Sequence, residues 1–367
     1  MRLKIFFLAA ISILFTFFSF AQDSGMQRRT LKVNKGGNLY VSLSVGDVDI
    51  TTSEKDEIII KYDKDEGSDF EISQSGNNVT ISSSSDSWGN DLMITVPSLF
   101  NIKVNTMGGD IKVTGSLKGE VDFSTSGGDI DLDKVIGNVK LKSSGGDIST
   151  GDINGDADIS TSGGDIALGK ISGKAEVMTA GGNIAMRSVG KSAEIKTAGG
   201  NVAVNDIGGD SEIKTGGGNI AANKINGQAI IKTGGGNISL ESATGYIDAE
   251  TGAGNISIQE ALNRFKATTG AGDIYVHIAP NIKGDCELKS GTGSITLYVP
   301  ANAKVTINAV VKSIGWGNDE SSIDSDFPGS STGIKRHVNQ QAFNINGGGA
   351  EINIYAALGS IRIKKIK

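Results

Sequence analysis

Hydrophobic and polar positions alternate along most of the chain, and the same alternating pattern returns every 18 residues from about residue 110 onward. Alternation with a period of two is the pattern of a half-buried β-strand. One position of the repeat is an Asp or Asn that directly follows a glycine. The first step between these positions is 19 residues and every later step is 18: Asp110, Asp129, Asp147, Asp165, Asn183, Asn201, Asn219, Asn237, Asn255 and Asp273.

Each repeat contains two predicted strands. The first strand begins with an aliphatic column: Ile130, Ile148, Ile166, Ile184, Val202, Ile220, Ile238, Ile256 and Ile274. The second strand carries a column of larger hydrophobic residues: Phe123, Leu141, Ile159, Val177, Ile195, Ile213 and Ile231. The second strand ends in a hydroxyl column: Thr125, Ser143, Thr161, Thr179, Thr197, Thr215, Thr233, Thr251 and Thr269. Glycines between the strands mark the turns.

One such repeat buries too few side chains to offset the entropy of ordering its backbone, so the repeats must stack and share a core. Because successive strands are separated by a full turn of chain, the stacked strands are parallel. The sequence therefore predicts an all-β fold, a single-domain parallel β-solenoid (a β-helix) with about 18 residues per coil and irregular end caps.

The chain divides into four predicted segments. Residues 1–21 are a signal peptide, 22–105 an N-terminal β cap region, 106–300 the regular solenoid repeats, and 301–367 the C-terminal coils with a polar insertion at 313–343. We expect strands at irregular spacing in the cap region, a projecting loop or a partly disordered insertion at 313–343, and a final strand pair whose lysines protect an open edge. The predicted cap strands are Leu39 to Leu43, Val48 to Thr52, Ile58 to Tyr62, Val79 to Ser82, and Met93 to Val96.

The N-terminus predicts export. Arg2 and Lys4 precede an apolar run of 14 residues, and Ser19 and Ala21 supply small residues at a cleavage site. The run is too short to span a bilayer, which takes about 20 residues, so we expect no membrane anchor in the mature chain and a periplasmic, outer-surface or extracellular location.

Composition narrows the function further. Removing the signal peptide removes two cations and changes the formal charge from −6 to −8, which gives no electrostatic footprint for nucleic acid. The 52 glycines and 4 prolines agree with periodic turns. Cys286 is the one cysteine, so no internal disulfide forms.

The Asp positions of the repeat offer two interpretations. Asp110, Asp129, Asp147 and Asp165 are predicted to stack about 5 Å apart, and calcium takes oxygen ligands. Calcium-binding rolls, however, need their motif twice per turn, and here the column becomes Asn in later repeats. The other interpretation is structural: each side chain bonds nearby backbone, and the amides stack as a ladder.

Other chemistry-bearing residues are few. We interpret Cys286 as a small buried residue in an inward column. His277 is expected to point outward from a strand, while His337 lies in the polar insertion. Two isolated histidines do not make a metal centre or a triad, and short regular repeats carry no loops for a polysaccharide-cleaving groove. We therefore predict no enzyme, and no catalytic, cofactor-binding or metal site.

Three surface features remain. The outward position of the first strand is small in successive coils: Ala167, Ala185, Ala203, Ala221, Ser239 and Ser257. This stripe either packs against a partner, a second rod or the insertion, or merely suits a crowded ladder. The second strand predicts a mixed face, with Glu194 and Glu212 beside lysines. Trp88 and Trp316 lie in identical Trp-Gly-Asn-Asp segments, which either stack on sugar rings or pack at the ends.

Several segments together resemble a bacterial β-strand-repeat family known as "putative adhesin". They are VGDVDI at 45–50, ITVPSLFNIKVNTMGGDI at 94–111, the TGGGNI repeats, and GSIRI at 359–363. The resemblance covers nearly the whole mature chain and implies a β-repeat fold. The family has no established function, and the resemblance leaves periplasmic, secreted and surface-attached locations open.

The expected function is a non-catalytic exported surface for adhesion or for scaffolding in the cell envelope. Its partner is an unidentified envelope or surface protein or a glycan, and self-association is a further possibility. The alternatives are a glycan-binding module that uses Trp88, Trp316 and the end loops, and a calcium-stabilised surface protein.

Overall fold

The computed structural model describes residues 26–63, 70–83, 91–312, 322–335 and 338–366. The predicted signal peptide, Trp88, Trp316 and His337 lie outside these residues. Within the described ranges no helix has the length and apolar character that a membrane crossing requires.

The strands fall into three groups along the chain. The N-terminal end contains β1 (Met26–Lys32), β2 (Gly37–Leu43), β3 (Val48–Ser53), β4 (Glu57–Asp63), β5 (Glu71–Ser75), β6 (Asn78–Ser83), β7 (Leu92–Pro97), β8 (Phe100–Thr106) and β9 (Ile111–Lys118). The regular stack contains β10 (Val121–Ser124), β11 (Ile130–Ile136), β12 (Val139–Lys142), β13 (Ile148–Thr150), β14 (Ile153–Asn154), β15 (Ala157–Thr161), β16 (Ile166–Ile171), β17 (Ala175–Thr179), β18 (Ile184–Val189), β19 (Ala193–Thr197), β20 (Val202–Ile207), β21 (Ser211–Thr215), β22 (Ile220–Ile225), β23 (Ala229–Thr233), β24 (Ile238–Ala243), β25 (Ile247–Ala253), β26 (Ile256–Ala261), β27 (Phe265–Ala271) and β28 (Ile274–Ile278). The C-terminal end contains β29 (Cys286–Thr292), β30 (Ile295–Pro300), β31 (Val305–Lys312), β32 (Ile323–Ser325), β33 (Ser330–Lys335), β34 (Val338–Ile345), β35 (Ala350–Leu358) and β36 (Ile361–Ile366).

The regular stack is a flattened parallel β-solenoid, as the repeat predicts. Each coil gives one strand to sheet A (β11, β13 with β14, then β16 to β28 in steps of two) and one to sheet B (β10, β12, then β15 to β27 in steps of two). Neighbouring strands pair in register at the 18-residue step, so Ala185 lies opposite Ala203 and Ile195 opposite Ile213. Identical columns therefore stack directly above one another.

The core lies between the two sheets. The predicted inward columns are buried in both sheets, and together with the inward residues of the ends they form one continuous hydrophobic cluster. The alternation predicted from the sequence is confirmed by the burial of successive residues, for example buried, exposed, buried along the start of β20.

The N-terminal end keeps the two-sheet architecture but changes the order of the strands. The first coil, β2 with β3, lies between the coil of β6 with β7 and the coil of β8 with β9. Beyond them β4, β1 and β5 add antiparallel strands that close the stack. All five predicted cap strands are confirmed, and coil stacking extends into the segment predicted as a cap.

The C-terminal end mirrors this arrangement. The last coil, β35 with β36, inserts between the coil of β29 with β30 and an outer layer of β31 and β32. Strand β34 then pairs antiparallel with β31, and β33 with β34.

Two expectations about this end are wrong. The polar insertion is not a projecting loop in its described part, since 323–325, 330–335 and 338–345 are strands that supply the outer pairing. The final strand pair is not an open edge, because it lies inside the layer that those strands form. The ammonium group of Lys364 instead donates hydrogen bonds to Asp324 and Asp326, at 2.8 Å and 3.4 Å.

Candidate functional site

The Asp and Asn column forms a continuous hydrogen-bond ladder along one corner. The backbone N–H of Asp165 donates to Oδ1 of Asp147 at 2.7 Å, and the N–H of Asn201 donates to Oδ1 of Asn183 at 2.9 Å. The same bond links the other steps: Asp110 to Asp129, Asp129 to Asp147, Asp165 to Asn183, Asn201 to Asn219, Asn219 to Asn237, Asn237 to Asn255 and Asn255 to Asp273.

This geometry favours the structural interpretation of the column. The partner of each side chain is the backbone of the next coil, so the ladder fastens coil to coil. The Oδ1 atoms of Asp110, Asp129, Asp147 and Asp165 are each engaged by an N–H. The described residues contain no group of three or more His, Cys, Asp or Glu side chains arranged to hold a metal ion.

The hydroxyl column is a second, buried ladder beside the first. The hydroxyl of Thr215 donates to the carbonyl of Gly200 at 2.8 Å and accepts the N–H of Gly218 at 3.2 Å. Equivalent donation recurs from Thr125 through Thr269 at 2.8–3.0 Å. The predicted inward corner ladder is confirmed, and its hydroxyls satisfy backbone groups at the corners of neighbouring coils.

The remaining single candidates have clear environments. Cys286 is buried, and that burial raises the pKa of its thiol to about 11, so it is not an activated nucleophile. His277 points outward from β28 and is half-buried. The burial of Cys286 and the outward position of His277 both agree with the interpretation from sequence.

The outer face of sheet A carries the stripe of small side chains. Ala167, Ala185, Ala203 and Ala221 are exposed and stack in register with Ser239 and Ser257. No described residue of the polar insertion pairs with these strands, since the described insertion strands pair with β31, β34 and β36. The stripe is therefore an open, flat surface about five coil spacings long.

The outer face of sheet B is dominated by ion pairs. Lys196 pairs with Glu194, and Lys232 pairs with Glu250 at 2.8 Å. The hydrogen bond from Lys232 lowers the pKa of Glu250 and raises that of Lys232. A shallow groove of about 860 Å³ runs beside this face from Glu120 to Ile230. The mixed, solvated face predicted from the sequence is what the structure contains.

A cluster of aromatic side chains on sheet A was not anticipated. Tyr275 and His277 project from β28 and Tyr298 from β30, and the rings of His277 and Tyr298 lie 4.1 Å apart between centroids. The cluster is not evident from the sequence, because the step between Asp273 and Ser294 is 21 residues and not the usual 18. Placing β30 on β28 with that longer step aligns Tyr298 with His277.

Comparison with known proteins gives a family and several distant solved structures. No curated protein matches the chain. A "putative adhesin" from Bacteroides fragilis is 13% identical over 94% of this chain and 98% of its own, with a TM-score of 0.25. A "putative cell adhesion protein" from Clostridium sporogenes is 10% identical over 93% and 100%, with a TM-score of 0.15. A "putative adhesin" from Parabacteroides merdae is 13% identical over 76% and 93%, with a TM-score of 0.25. With TM-scores this low, these likenesses carry no argument about function.

The family match covers most of the chain. It extends over residues 37–241 and again over 174–326, which together include the first coil, the whole regular stack and part of the C-terminal end. The chain therefore belongs to the Toastrack DUF4097 family.

Proposed function

We propose that the protein is an exported, non-catalytic rod that presents its lateral faces to partners in the cell envelope or on another cell, as an adhesin or a scaffold. The observation that carries the proposal is that the recurring polar side chains of the corners serve structure and leave the outer faces free. The recurring Asp, Asn and Thr columns bond backbone of neighbouring coils, so the long outer faces of the two sheets are the surfaces left for a partner.

The closed ends support the same conclusion. Antiparallel strands cover both sheets at the N-terminal end and sheet B at the C-terminal end, where the short strand β32 pairs with β36 in sheet A. These irregular outer strands disfavour growth by addition of further chains. Contact with a partner then falls on the sides of the rod. Of the two sides, sheet A has the flat stripe of Ala and Ser, whereas several charged side chains of sheet B are already engaged in ion pairs.

The test is binding of the labelled mature chain, residues 22–367, to isolated bacterial envelopes and to whole cells. The double variant Ala203→Arg with Ala221→Arg places two long side chains on the stripe. Its control, Met178→Arg with Ile230→Arg, adds the same two charges to the outer face of sheet B, where both native side chains are half-buried.

We expect the stripe variant to weaken envelope binding at least about tenfold, or about 1.4 kcal/mol, while the control binds like the native chain. Equal binding by both variants contradicts a role for the stripe. Absence of envelope binding by the native chain contradicts the adhesin proposal, and turnover of any glycan or peptide contradicts its non-catalytic part.

A further inference from the structure

The aromatic cluster on the outer face of sheet A interrupts a surface that elsewhere in the regular stack consists of small or polar side chains. From β11 to β26 the two outward columns of this face carry small or polar residues, such as Ala203 and Asn205. At β28 and β30 the same columns carry Tyr275, His277 and Tyr298. Two tyrosines and a histidine thus meet on two neighbouring strands of a protein in which Phe, Trp and Tyr together are only 5% of the chain.

The cluster is ordered by its own contacts. The hydroxyl of Tyr275 donates to Oδ2 of Asp273 at 3.0 Å, which fixes the ring beside the corner ladder. Tyr275 as a whole stays 38% exposed. Thr296, which lies between Tyr275 and Arg362 in the same row, is only 6% exposed although its strand position faces outward. The outer surface here is therefore formed by the larger side chains, with the threonine beneath them.

A cleft adjoins His277, which is the one member of the aromatic cluster that lines it. The cleft has a volume of about 620 Å³ and contains the polar residues Glu241, Gln259, Glu260 and Asn302 beside apolar residues of the neighbouring strand ends and turns. Carboxylates accept hydrogen bonds, and amides both donate and accept them. Burial lowers the pKa of His277, which favours the neutral imidazole, a group with one hydrogen-bond donor and one acceptor.

This combination matches the surface chemistry of a sugar ring. A pyranose has an apolar C–H face, which packs on an aromatic ring, and hydroxyl groups at its edge, which need hydrogen-bond partners of both kinds. A protein partner of comparable footprint takes several buried apolar anchors. On β26, β28 and β30 the one exposed large hydrophobic side chain among the described residues is Tyr275.

We propose that Tyr275, His277 and Tyr298, with the adjoining cleft, form a binding site for a pyranose glycan. The proposal does not involve Trp88 or Trp316. It deepens the proposed function by naming the chemical class of one partner, and it rests on that proposal only for the biological setting.

The experiment screens the mature chain on an array of α- and β-linked hexose and N-acetylhexosamine oligosaccharides. The best-bound oligosaccharide is then titrated in solution by calorimetry. Tyr275→Ala removes the exposed ring, and Tyr275→Leu keeps apolar bulk without an aromatic face or hydroxyl. Tyr40→Ala is the matched control, because Tyr40 is a similarly exposed tyrosine on the outer face of β2, at the other end of the rod.

We expect both Tyr275 variants to weaken binding at least about tenfold and the Tyr40 variant to bind like the native chain, with all three variants showing native melting curves. If Tyr275→Ala fails to fold, Tyr275→Leu decides the outcome. An array on which the native chain binds no glycan overturns the site, as does binding that the Tyr275 variants leave unchanged.

Failure of this site is distinguishable from failure of the proposed function. Envelope binding that persists when no glycan is bound, or that survives enzymatic removal of surface sugars, leaves the adhesin proposal standing and overturns the glycan site. Glycan binding without envelope binding leaves the glycan site standing and overturns the adhesin proposal.

Discussion

The regular stack and the two ends use the same two-sheet architecture but differ in how chain order relates to position. In the stack, each coil follows its predecessor at 18 residues and makes the same contacts. At the ends, the first coil and the last coil are each inserted between two other coils. The comparison teaches that the repeat stabilises the middle by periodic bonds, whereas the ends are secured by strands that cover the terminal coils.

Removing the inserted last coil is expected to have the largest effect. Deletion of 350–367 leaves β29, β30, β31 and β32 without their central partners. We expect the melting temperature to fall by more than about 10 °C, since several kcal/mol are lost at about 2–4 °C per kcal/mol.

Deletion of 22–32 is the control for this truncation. It removes β1, which pairs with β4 alone and whose side chains are mostly exposed, so only a small shift is expected. Similar melting curves for the two truncations would contradict the inserted arrangement at the C-terminal end.

The next largest loss of stability is expected from a glycine substitution at the corner of the regular stack. A Cβ atom at Gly200 would overlap the carbonyl oxygen of Gly182 in the coil below, whereas at Gly199 the nearest such atom is 3.6 Å away. Gly200→Ala is therefore expected to lower the free energy of unfolding by about 3 kcal/mol or more.

Gly199→Ala tests the same change on the neighbouring residue, where we expect the free energy of unfolding to fall by less than about 1 kcal/mol. Chemical denaturation followed by circular dichroism measures both variants. Equal losses would show that close backbone approach at the second glycine is not what requires a glycine there.

A smaller effect is expected from the buried hydroxyl ladder. Thr215→Val keeps the shape of the side chain but leaves the carbonyl of Gly200 and the N–H of Gly218 without this partner. The expected loss is about 1–3 kcal/mol. Thr114→Val, on the exposed face of β9, should change stability by less than about 0.5 kcal/mol, and an equal loss there would contradict the ladder.

The smallest effect tests the Asp ladder and the calcium alternative together. Asp147→Asn keeps an oxygen that can accept the N–H of Asp165 and should change stability by less than about 0.5 kcal/mol. Asp147→Ala loses that acceptor and should cost about 1 kcal/mol. We also expect the melting temperature to be the same in EDTA and in millimolar calcium. A large upward shift with calcium, abolished by Asp147→Asn, would establish a cation site instead.

Much of the fold could be predicted because its information is local and periodic. The alternation within each repeat sets which face is buried, and the constant step sets the register, so the columns of Ile184, Ile195 and Thr197 could be placed from sequence. The corner ladder was predicted in kind, although its partner is the backbone of the next coil rather than a residue nearby in the chain.

The rest could not be predicted because it depends on pairing between segments that share no spacing. Nothing in the sequence of β35 indicates that it lies between β29 and β31, and the polarity of 313–343 resembles that of a loop although strands are present. The aromatic cluster was missed for a related reason. His277 is isolated in the sequence, and only the longer step to β30 brings Tyr298 beside it.

The most direct test of the central claim is deletion of one complete repeat. Removing 201–218 takes out one 18-residue coil, so its neighbours should re-pair in register, the rod should shorten by about 4.8 Å, and the melting curve should stay close to native. Removing 201–209 takes out half a coil, which contains one of its two strands. This deletion should abolish the native fold, because every later strand would have to pair in the opposite sheet. Scattering and thermal melts of the two deletions decide the matter: equal damage from both would contradict a solenoid held by an 18-residue coil.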